Sequence, residues 1–545
     1  MDPLWYKDAI FYEIYVRAFA DSNGDGQGDL CGLLAKLDYL QDLGVDCLWL
    51  LPICESPLVD DGYDVSDYRR ILPEYGTLDD FRELVQAAHA RGLRVIADMV
   101  MNHTSDQHPW FVQARSSRAA SNRDYYLWNA DDEKFKDARV IFVDSQTSNW
   151  HYDPHTGEFY FHRFYTQQPD LNYDNPVIQH EMLDVMNFWL EMGIDGFRCD
   201  AVPYLFKREG TNCENLPETH EYLKRVRRFV SERFPDAVLL AEANQWPRDA
   251  VAYFGGGDEF QMAFNFPIMP RIFMSLKQQD RGPIVAIAQQ TPPIPDSCQW
   301  CTFLRNHDEL TLEMVTSEER EWMWREYAPE PRMRLNLGIR RRLAPLLDNN
   351  QRKIELANSL LFTLPGSPII YYGDEIGMGD DIWLKDRDGV RTPMQWSAQE
   401  CAGFSKAPAS RLYAPVIHDP IYGYARVNVE QQRADPESLY HTLKWLIAIR
   451  RQHPVFGRGD CIFLTPPNPA ILAYIRHYQD ETVVAVHNLS ERAQETGLDL
   501  GAFEGRTPVD LLTKQSFPPI TREPYRVQFQ PYQFFWLNLA PSQGS

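Results

Sequence analysis

The sequence predicts a (β/α)8 TIM barrel that carries two further domains, and three observations lead to this α/β fold class. Eight short apolar runs between residues 9 and 375 mostly alternate with amphipathic helical patterns. Those runs are continuously apolar, as expected for parallel strands that helices cover. At 545 residues the chain is far longer than one ordinary core requires. A Rossmann-type open sheet is the alternative.

The predicted strands are spaced along most of the chain, and helices such as the one predicted over 30–44, which ends at Gly44, separate them. In chain order the strands are AIFYEIYVRAF (9–19), VDCLWLLPI (45–53), LRVIADMVMNH (93–103), IDGFRCDAV (194–202), AVLLAEANQ (237–245), FQMAFNFP (260–267), CTFLRNHDE (301–309) and SPIIYYGDE (367–375).

Three segments depart from this alternation. Residues 104–172 are aromatic and polar, with a hairpin-like DPHTGEFYFHRFY, and predict a domain inserted after the third strand. Residues 309–350, rich in Glu, Arg and Trp, predict a helical lid after the seventh strand. Residues 456–545 contain short strands and turns, and predict a C-terminal antiparallel β-sandwich. The barrel then comprises 1–103 and 173–455.

Composition excludes several classes of protein. A net charge of −23 argues against a nucleic-acid partner, because phosphate binding needs clustered Lys and Arg. The nine cysteines lie in apolar contexts and predict reduced core residues rather than a disulfide framework. The N-terminus has no signal-peptide pattern and no apolar run is long enough to span a membrane, so we expect a soluble cytoplasmic protein.

Three of the predicted strands end in a carboxylate: Asp200, Glu242 and Asp308. In a (β/α)8 barrel, reactive groups gather at the C-terminal ends of the strands. A charge beside an apolar strand is costly unless it is paired or functional. Any one of these acids could be a cap or turn residue, but three together, with Arg198 and His307 adjacent, indicate a catalytic site.

The chemistry that uses such a set is glycosyl transfer with retention. One carboxylate attacks the anomeric carbon, while a second, kept protonated, donates to the leaving oxygen and later takes a proton back. Arg198 is expected to hold Asp200 ionised, because a nearby cation lowers a carboxyl pKa. Glu242 needs a raised pKa, which a dry setting and the other acids would supply.

Five stretches carry a resemblance to a known family. DMVMNH (98–103), GFRCDAV (196–202), AEA (241–243) and RNHDE (305–309) resemble the four core motifs of glycoside hydrolase family 13, the α-amylase family. QPDLN (168–172) resembles the fifth motif in the form of oligo-1,6-glucosidase-like members. The resemblance implies that Asp200 is the nucleophile, Glu242 the acid/base and Asp308 the residue that clamps the sugar hydroxyls.

The same resemblance implies a pocket for one terminal glucose unit. In DDGYDVSDY, Asp60 and Tyr63 resemble the glucose-gripping Asp and the stacking Tyr, although this stretch could also be only a turn. Phe164 resembles the aromatic wall, and Arg391, in VRTPMQW, resembles the arginine that closes the pocket. His103 and His307 resemble hydrogen-bond donors to the same sugar, although either alone could be a core histidine.

Substrate choice within the family rests on two features. Ala201 after Asp200 goes with α-1,4 rather than α-1,6 specificity in this family. The tract PYLFKREGTNCENLPETHEYLKRVR (203–227) is similar to members that isomerise maltose to trehalose with some loss to free glucose. Tyr204, Glu309 and Glu313 are then expected to line the site that retains the released glucose. An α-glucosidase that hydrolyses short α-1,4-glucosides, and a non-catalytic carbohydrate-binding relative, are the alternatives.

The stretch DSNGDGQGDL (21–30) is similar to a calcium-binding loop. An EF-hand sensor is excluded, because position 12 is Gly32 rather than a bidentate Glu and the preceding residues predict a strand. The loop still offers closely spaced oxygens for a structural Ca²⁺, or Mg²⁺, although a solvated turn is the alternative. Its predicted ligands are Asp21, Asn23, Asp25, Asp29 and the carbonyl of Gln27.

The family resemblance implies a second structural Ca²⁺ site at the inserted domain, and no organic cofactor. Its predicted ligands are Asn102, Asp170, Glu209 and the carbonyls of Tyr204 and Leu205. A homo-oligomer and a separate maltokinase are potential protein partners.

Overall fold

A computed structural model describes residues 2–539, and in it eight parallel strands close into a barrel. Each strand pairs with the next in the chain, and the last pairs with the first. The strands are β1 (Phe11–Ile14), β2 (Cys47–Leu50), β3 (Arg94–Val100), β4 (Gly196–Asp200), β5 (Val238–Ala241), β6 (Met262–Phe264), β7 (Gln299–Phe303) and β8 (Ser367–Tyr371). The barrel prediction is confirmed, and the open-sheet alternative is wrong.

Seven of the eight predicted runs contain a whole barrel strand, and the run 301–309 overlaps β7, which begins two residues earlier. Two predictions near the N-terminus were too simple. The run 9–19 holds both β1 and a helical turn, Val16–Phe19, because the chain bends away from the barrel after Ile14. The single helix predicted over 30–44 is two short helices, Leu30–Leu34 and Leu37–Leu43, the second of which ends at Gly44 in the left-handed conformation.

The outer helices bury one face against the barrel. In Leu78–Ala90, for example, Thr77 and Asp80 form a capping box at the N-terminus, and Phe81 and Leu84 are fully buried. The longer helices of the barrel are Leu78–Ala90, Pro176–Glu191, Pro217–Arg233, Ile268–Gln278, Gly282–Gln290, Gln351–Thr363 and Leu439–Gln452.

Between β3 and the helix Pro176–Glu191 the chain forms a small separate unit. It contains the helix Pro109–Ala114 and a three-stranded antiparallel sheet. In that sheet, Glu158–Phe161 lies between Trp128–Asn129 and Trp150–Asp153, so the predicted hairpin is present.

The segment after β7 is not the helical lid that its composition suggested. It has one longer helix, Ser317–Tyr327, and the short helix Leu343–Leu346, together with a small sheet. Leu310–Thr311, Gly338–Ile339 and Arg334–Leu335 form that sheet, in this order.

The C-terminal part is antiparallel, as predicted, as far as residue 539; residues 540–545 lie outside the described range. It packs on the barrel helix Gln351–Thr363, where Trp536 Nε1 donates to Ser359 Oγ at 2.9 Å. Its main sheet has the order Asp460–Leu464, Ile471–Tyr478, Glu481–Asn488, Phe534–Asn538, Val509–Asp510, and a second pair is Gln494–Leu498 with Tyr525–Phe529.

All nine cysteines are free thiols, and only Cys31 is exposed, in agreement with the prediction of reduced core residues. Within residues 2–539, no helix combines the length and the apolar character needed to cross a membrane.

Candidate active site

The three predicted catalytic acids meet at the C-terminal rim of the barrel. Asp200 is the last residue of β4, Glu242 directly follows β5, and Asp308 lies in the loop after β7. All three line a single pocket with a cavity volume of about 120 Å³. The parallel strands bring together acids that are far apart in the sequence, as this fold requires.

One buried guanidinium binds both of the acids at the ends of strands. Arg198 Nη1 lies 2.6 Å from Asp200 Oδ1, and its Nη2 lies 2.6 Å from Glu242 Oε1. Arg198 Nη1 also lies 2.5 Å from Asp98 Oδ1, and Trp49 Nε1 donates to Asp98 Oδ2 at 2.9 Å. Asp98, within DMVMNH, was not assigned from the sequence; its partners give it the role of positioning Arg198.

The two acids have different proton affinities. Burial raises the pKa of Asp200 to about 6, against the opposing charge of Arg198. Burial raises the pKa of Glu242 to about 8; Arg198 opposes this and the nearby Asp200 and Asp308 add to it. Near pH 7, Asp200 is therefore mostly ionised and Glu242 mostly protonated, which is the division of roles that a nucleophile and an acid/base need.

Arg198 lowers the pKa of Asp200, as predicted, but it does not bring the pKa below its ordinary value. Arg198 shares its one positive charge among three acids, and burial outweighs its effect on Asp200. A hydrogen bond from Glu242 also lowers the pKa of Asp200, but less than burial raises it.

Two arginine side chains contact the third acid, Asp308. Arg387 Nε lies 2.9 Å and Arg391 Nη2 lies 3.0 Å from Asp308 Oδ1. Burial raises the pKa of Asp308, but His307 and these two guanidinium groups outweigh burial and hold the pKa below its ordinary value. Asp308 therefore stays ionised, as a group that accepts hydrogen bonds from sugar hydroxyls must.

The arginine at the pocket is Arg387 rather than Arg391. Arg387 lines the pocket. Arg391 lies behind Asp308, where its Nη1 contacts Asp61 Oδ2 at 2.6 Å and its Nε donates to the carbonyl of His307. Both arginines flank one 3-10 turn, Asp388–Val390, so the sequence pattern does not indicate which of them faces the cavity.

Asp60 and Tyr63 both line the pocket, and the stretch that carries them is also a turn, with Asp61 and Gly62 at positive φ. Asp60 Oδ2 accepts from Gln168 Nε2 at 2.8 Å, and burial raises the pKa of Asp60 to about 7. The ring of Tyr63 stacks on His307, with centroids 5.5 Å apart.

The two predicted histidines differ in position. His103 lines the pocket beside Phe164; its Nε2 bonds the carbonyl of Tyr63 at 3.1 Å, and burial lowers its pKa to about 4. His307 is fully buried and does not line the cavity. Its Nε2 bonds the Tyr63 hydroxyl at 2.8 Å and its Nδ1 contacts Glu13, so it lies behind Tyr63.

Tyr204, Glu309 and Glu313 all line the pocket, and a residue of the inserted segment contacts two of them. Arg139 Nη1 lies 2.8 Å from Glu313 Oε2, and its Nη2 donates to the Tyr204 hydroxyl at 3.2 Å. Its Nε also donates to Glu214 Oε1 at 2.7 Å. The sequence reasoning missed Arg139, because nothing nearby in the chain marks an arginine whose partners are all distant.

The loop that carries Arg139 also roofs the pocket. Ile141 and Phe142 line the cavity, and the Arg387 guanidinium lies 4.8 Å from the centre of the Phe142 ring. Two residues further on, Asp144 Oδ2 accepts from the backbone N–H of Asn336 at 2.7 Å. The roof thus contacts the segment after β7 through Asp144 and the loop after β8 through Phe142.

Comparison with known proteins assigns the family. Residues 13–459 match the α-amylase catalytic domain, and residues 461–536 match the C-terminal domain of maltogenic amylases. The chain belongs to the α-amylase family.

Several relatives of this α-amylase family protein match it over nearly its whole length. It is 57% identical over 546 residues to the trehalose synthase/amylase of Mycobacterium tuberculosis, and the alignment covers 99% of this chain and 91% of that relative. It is 56% identical to a trehalose synthase of Pimelobacter sp., at 99% and 96% coverage. An oligo-1,6-glucosidase of Bacillus cereus is 32% identical, at 94% and 95% coverage.

Solved structures include enzymes named as sugar synthases. A trehalulose synthase from Pseudomonas mesoacidophila has a TM-score of 0.78 at 28% identity, and covers 98% of this chain and 99% of that one. An isomaltulose synthase variant from Erwinia rhapontici, in complex with its natural substrate sucrose, has a TM-score of 0.77 at 27% identity and the same coverage.

The loop 21–30 of this family member holds its shape by its own hydrogen bonds. Asp21 accepts from the backbone N–H groups of Asn23, Gly24 and Gly26, and Asp25 accepts from that of Gln27. Asp29 accepts from Ser22 and caps the helix Leu30–Leu34 through Gly32. The Gln27 side chain accepts from Arg17.

The donor set of this loop fits a hard cation only in part. Within the described residues, no three His, Cys, Asp or Glu side chains gather into a metal cluster, and Asp29 is committed to the helix cap. The oxygens of Asp21, Asn23 and Asp25 with the Gln27 carbonyl are the ligands that remain for Ca²⁺.

The residues present at the second predicted metal site do not fit a divalent cation. An ammonium group, that of Lys207, contacts Asp170, Asn102 and the carbonyl of Leu205. Glu209, the predicted carboxylate ligand, is exposed and accepts from the backbone N–H of Phe135. The positive charge at this position is therefore the ammonium group of Lys207.

Proposed function

We propose that this protein isomerises maltose to trehalose, reversibly, by transferring a glucosyl unit within one bound pair of sugars, with minor release of glucose. The observation that carries the proposal is the pairing of Asp200 and Glu242 on the guanidinium of Arg198 inside a pocket roofed by the loop of Arg139.

In the first step, an oxygen of Asp200 attacks the anomeric carbon of the non-reducing glucose of maltose. The bond from that carbon to the bridging oxygen breaks, and Glu242 gives its proton to this oxygen. The products are a glucosyl ester on Asp200 and a free glucose that stays in the pocket. Asp308, kept ionised by Arg387 and Arg391, accepts hydrogen bonds from the hydroxyls of the transferred sugar.

In the second step, the retained glucose turns and presents its anomeric hydroxyl. Glu242, now ionised, takes the proton of that hydroxyl as its oxygen attacks the anomeric carbon and the bond to Asp200 breaks. Two inversions at one carbon keep the α-configuration, and the product is trehalose. If water attacks instead, the product is glucose.

The choice of isomerisation over hydrolysis depends on keeping glucose in and water out. Glu313, Tyr204 and Arg139 connect the pocket wall to its roof, and such closed sites exclude water during reaction. The full-length likeness to proteins named trehalose synthases supports the same choice.

The alternative is an α-glucosidase that hydrolyses short α-1,4-glucosides. The name of one relative combines synthase with amylase, and another relative is an oligo-1,6-glucosidase, so the family contains such activities. The catalytic acids serve both reactions equally, because both pass through the glucosyl ester.

Incubation with maltose in the presence of ¹³C-labelled free glucose separates these functions. The proposal predicts that NMR shows trehalose without label, because the transferred and accepting sugars never leave the site. Labelled trehalose would indicate transfer between molecules, and glucose alone would indicate the α-glucosidase. The variants Asp200→Asn and Glu242→Gln serve as controls, and each is expected to lose at least about 10³-fold in rate.

A structural Ca²⁺ in the loop 21–30 is part of this proposal, as a stabiliser with no part in the reaction. The cytoplasmic location, the homo-oligomer and the maltokinase partner stay predictions.

A further inference from the structure

A buried lysine lies where the family resemblance predicted a divalent metal. Lys207 Nζ is 2.6 Å from Asp170 Oδ2, 3.2 Å from Asn102 Oδ1 and 3.5 Å from the carbonyl oxygen of Leu205. These are three of the five oxygen-bearing groups expected to bind Ca²⁺. The ammonium thus has the surroundings of a metal ion.

Burial makes this contact specific. The side chains of Lys207 and Asp170 are 2% and 0% exposed. Among the described residues, Asp170 forms one ion pair, that of its Oδ2 with the ammonium of Lys207. The other oxygen, Oδ1, accepts from the backbone N–H of Arg163. A buried carboxylate in this position needs one positive charge, and Lys207 supplies it.

The contact joins three parts of the pocket wall. Asn102 follows β3 and precedes His103, which lines the cavity. Asp170 belongs to the inserted segment and pairs with His103 in an isolated β-bridge. Leu205 follows Tyr204, another lining residue, in the loop after β4. Lys207 therefore holds the junction from which His103 and Tyr204 extend.

We propose that the ammonium group of Lys207 permanently occupies the cation position at this junction, so that the site takes no divalent metal and the pocket wall is held independently of metal supply. A divalent ion would need to sit about 2.3–2.6 Å from the same oxygens. At that place it would meet the ammonium at contact distance, with repulsion instead of a ligand.

The proposal predicts that one substitution restores a metal site. In Lys207→Glu the junction gains a carboxylate and loses its cation, so two buried acids face each other beside Asn102 and the Leu205 carbonyl. We expect the Tm of this variant in EDTA to lie roughly 5–10 °C below that of the wild type in EDTA. Added Ca²⁺ should remove most of this difference in Tm between the variant and the wild type. Equilibrium dialysis should show one more bound Ca²⁺ per chain in the variant than in the wild type.

Lys207→Met is the matched control, because it keeps the length of the side chain and removes its charge without adding a ligand. Its Tm in EDTA should also lie below that of the wild type in EDTA, but added Ca²⁺ should not reduce this difference, because the loop 21–30 responds to Ca²⁺ equally in both proteins. Wild-type protein that binds as many Ca²⁺ ions as Lys207→Glu would overturn the proposal. A Lys207→Glu variant that folds and gains no Ca²⁺ would overturn it too, because the position would then not be a cation site.

A second measurement keeps the proposal testable if Lys207→Glu does not fold. The double variant Asp21→Ala, Asp25→Ala removes the loop ligands and keeps Lys207. It should bind no Ca²⁺ in dialysis; one tightly bound ion per chain would overturn the proposal. None of these readouts depends on the reaction, so failure here is distinct from failure of the proposed isomerisation.

Discussion

Removing Arg139 should convert part of the isomerisation into hydrolysis. Arg139 ties Glu214, Glu313 and the Tyr204 hydroxyl to the roof of the pocket. Truncation in Arg139→Ala breaks all three contacts while leaving the acids in place. Water then enters more often during the lifetime of the glucosyl ester, and the retained glucose escapes more often.

The size of the effect follows from the exposure of the contacts. The Arg139 side chain is 36% exposed, whereas those of Glu214 and Glu313 are 4% and 13% exposed. Because solvent screens the arginine, we take about 0.5–1 kcal/mol for each ion pair rather than the larger value of a dry one. Two pairs give about 1–2 kcal/mol, which corresponds to a roughly 5–30-fold rise in the ratio of glucose to trehalose.

Proton NMR of the products from maltose measures this ratio directly. The matched control is Arg118→Ala, the same truncation at an arginine of the inserted segment that contacts Glu158 and the Thr156 carbonyl instead of the pocket. In the double variant Arg139→Ala, Glu313→Ala, the second substitution should add little, because the shared contact is already lost. An unchanged ratio in Arg139→Ala, with the Tm preserved, would refute the view that this contact retains glucose.

Three other predictions concern the acids, the arginines and the loop. The rate kcat/KM should fall below pH about 6, where Asp200 becomes protonated, and above pH about 8, where Glu242 loses its proton; a profile flat to pH 10 would contradict this assignment. Arg387→Ala should lower kcat/KM for maltose by roughly 10–100-fold, because Arg387 contacts Asp308 and lines the pocket. Arg391→Ala should lower kcat/KM less, because Arg391 contacts Asp308 without lining the pocket; equal losses in the two variants would argue against this division. EDTA should lower the Tm of the wild type without changing its reaction rate at moderate temperature. The variant Asp25→Asn keeps an oxygen that can accept from the Gln27 N–H, and it should show a smaller effect of EDTA on the Tm. If EDTA does not change the wild-type Tm, the loop is a hydrogen-bonded turn only.

Much of the architecture was predictable, because apolar periodicity is a local property. Each of the eight continuous apolar runs coincides wholly or partly with a barrel strand, and the helix Leu37–Leu43 ends at Gly44, whose φ is positive as a helix-ending glycine allows. The segment after β7 was harder, because its many charged residues suit a helix and a solvent-facing sheet equally. Its small sheet depends on pairing between residues 310 and 339, which no local pattern encodes.

The residues of the candidate site also differ in how far the sequence predicts them. Asp200, Glu242 and Asp308 could be found from the sequence, because strand-ending carboxylates in a barrel converge by topology. Arg387 and Arg391 could not be told apart, because one short turn separates them and only the packed structure determines which side chain reaches the cavity. The position of His307 behind Tyr63 could not be predicted, because it depends on a contact with Glu13, a residue of β1.

The sequence by itself determined the barrel, the order of its strands, and the acids that the strand ends bring together, because these depend on residue type and spacing. Only the tertiary structure decided which charges neutralise each other. Arg198 forms ion pairs with three acids, and Arg139 of the inserted segment binds Glu313 in the pocket wall. Lys207 lies at the position predicted for a metal ion. Such pairings join residues far apart in the chain, and burial, which no sequence pattern reports, determines their strength.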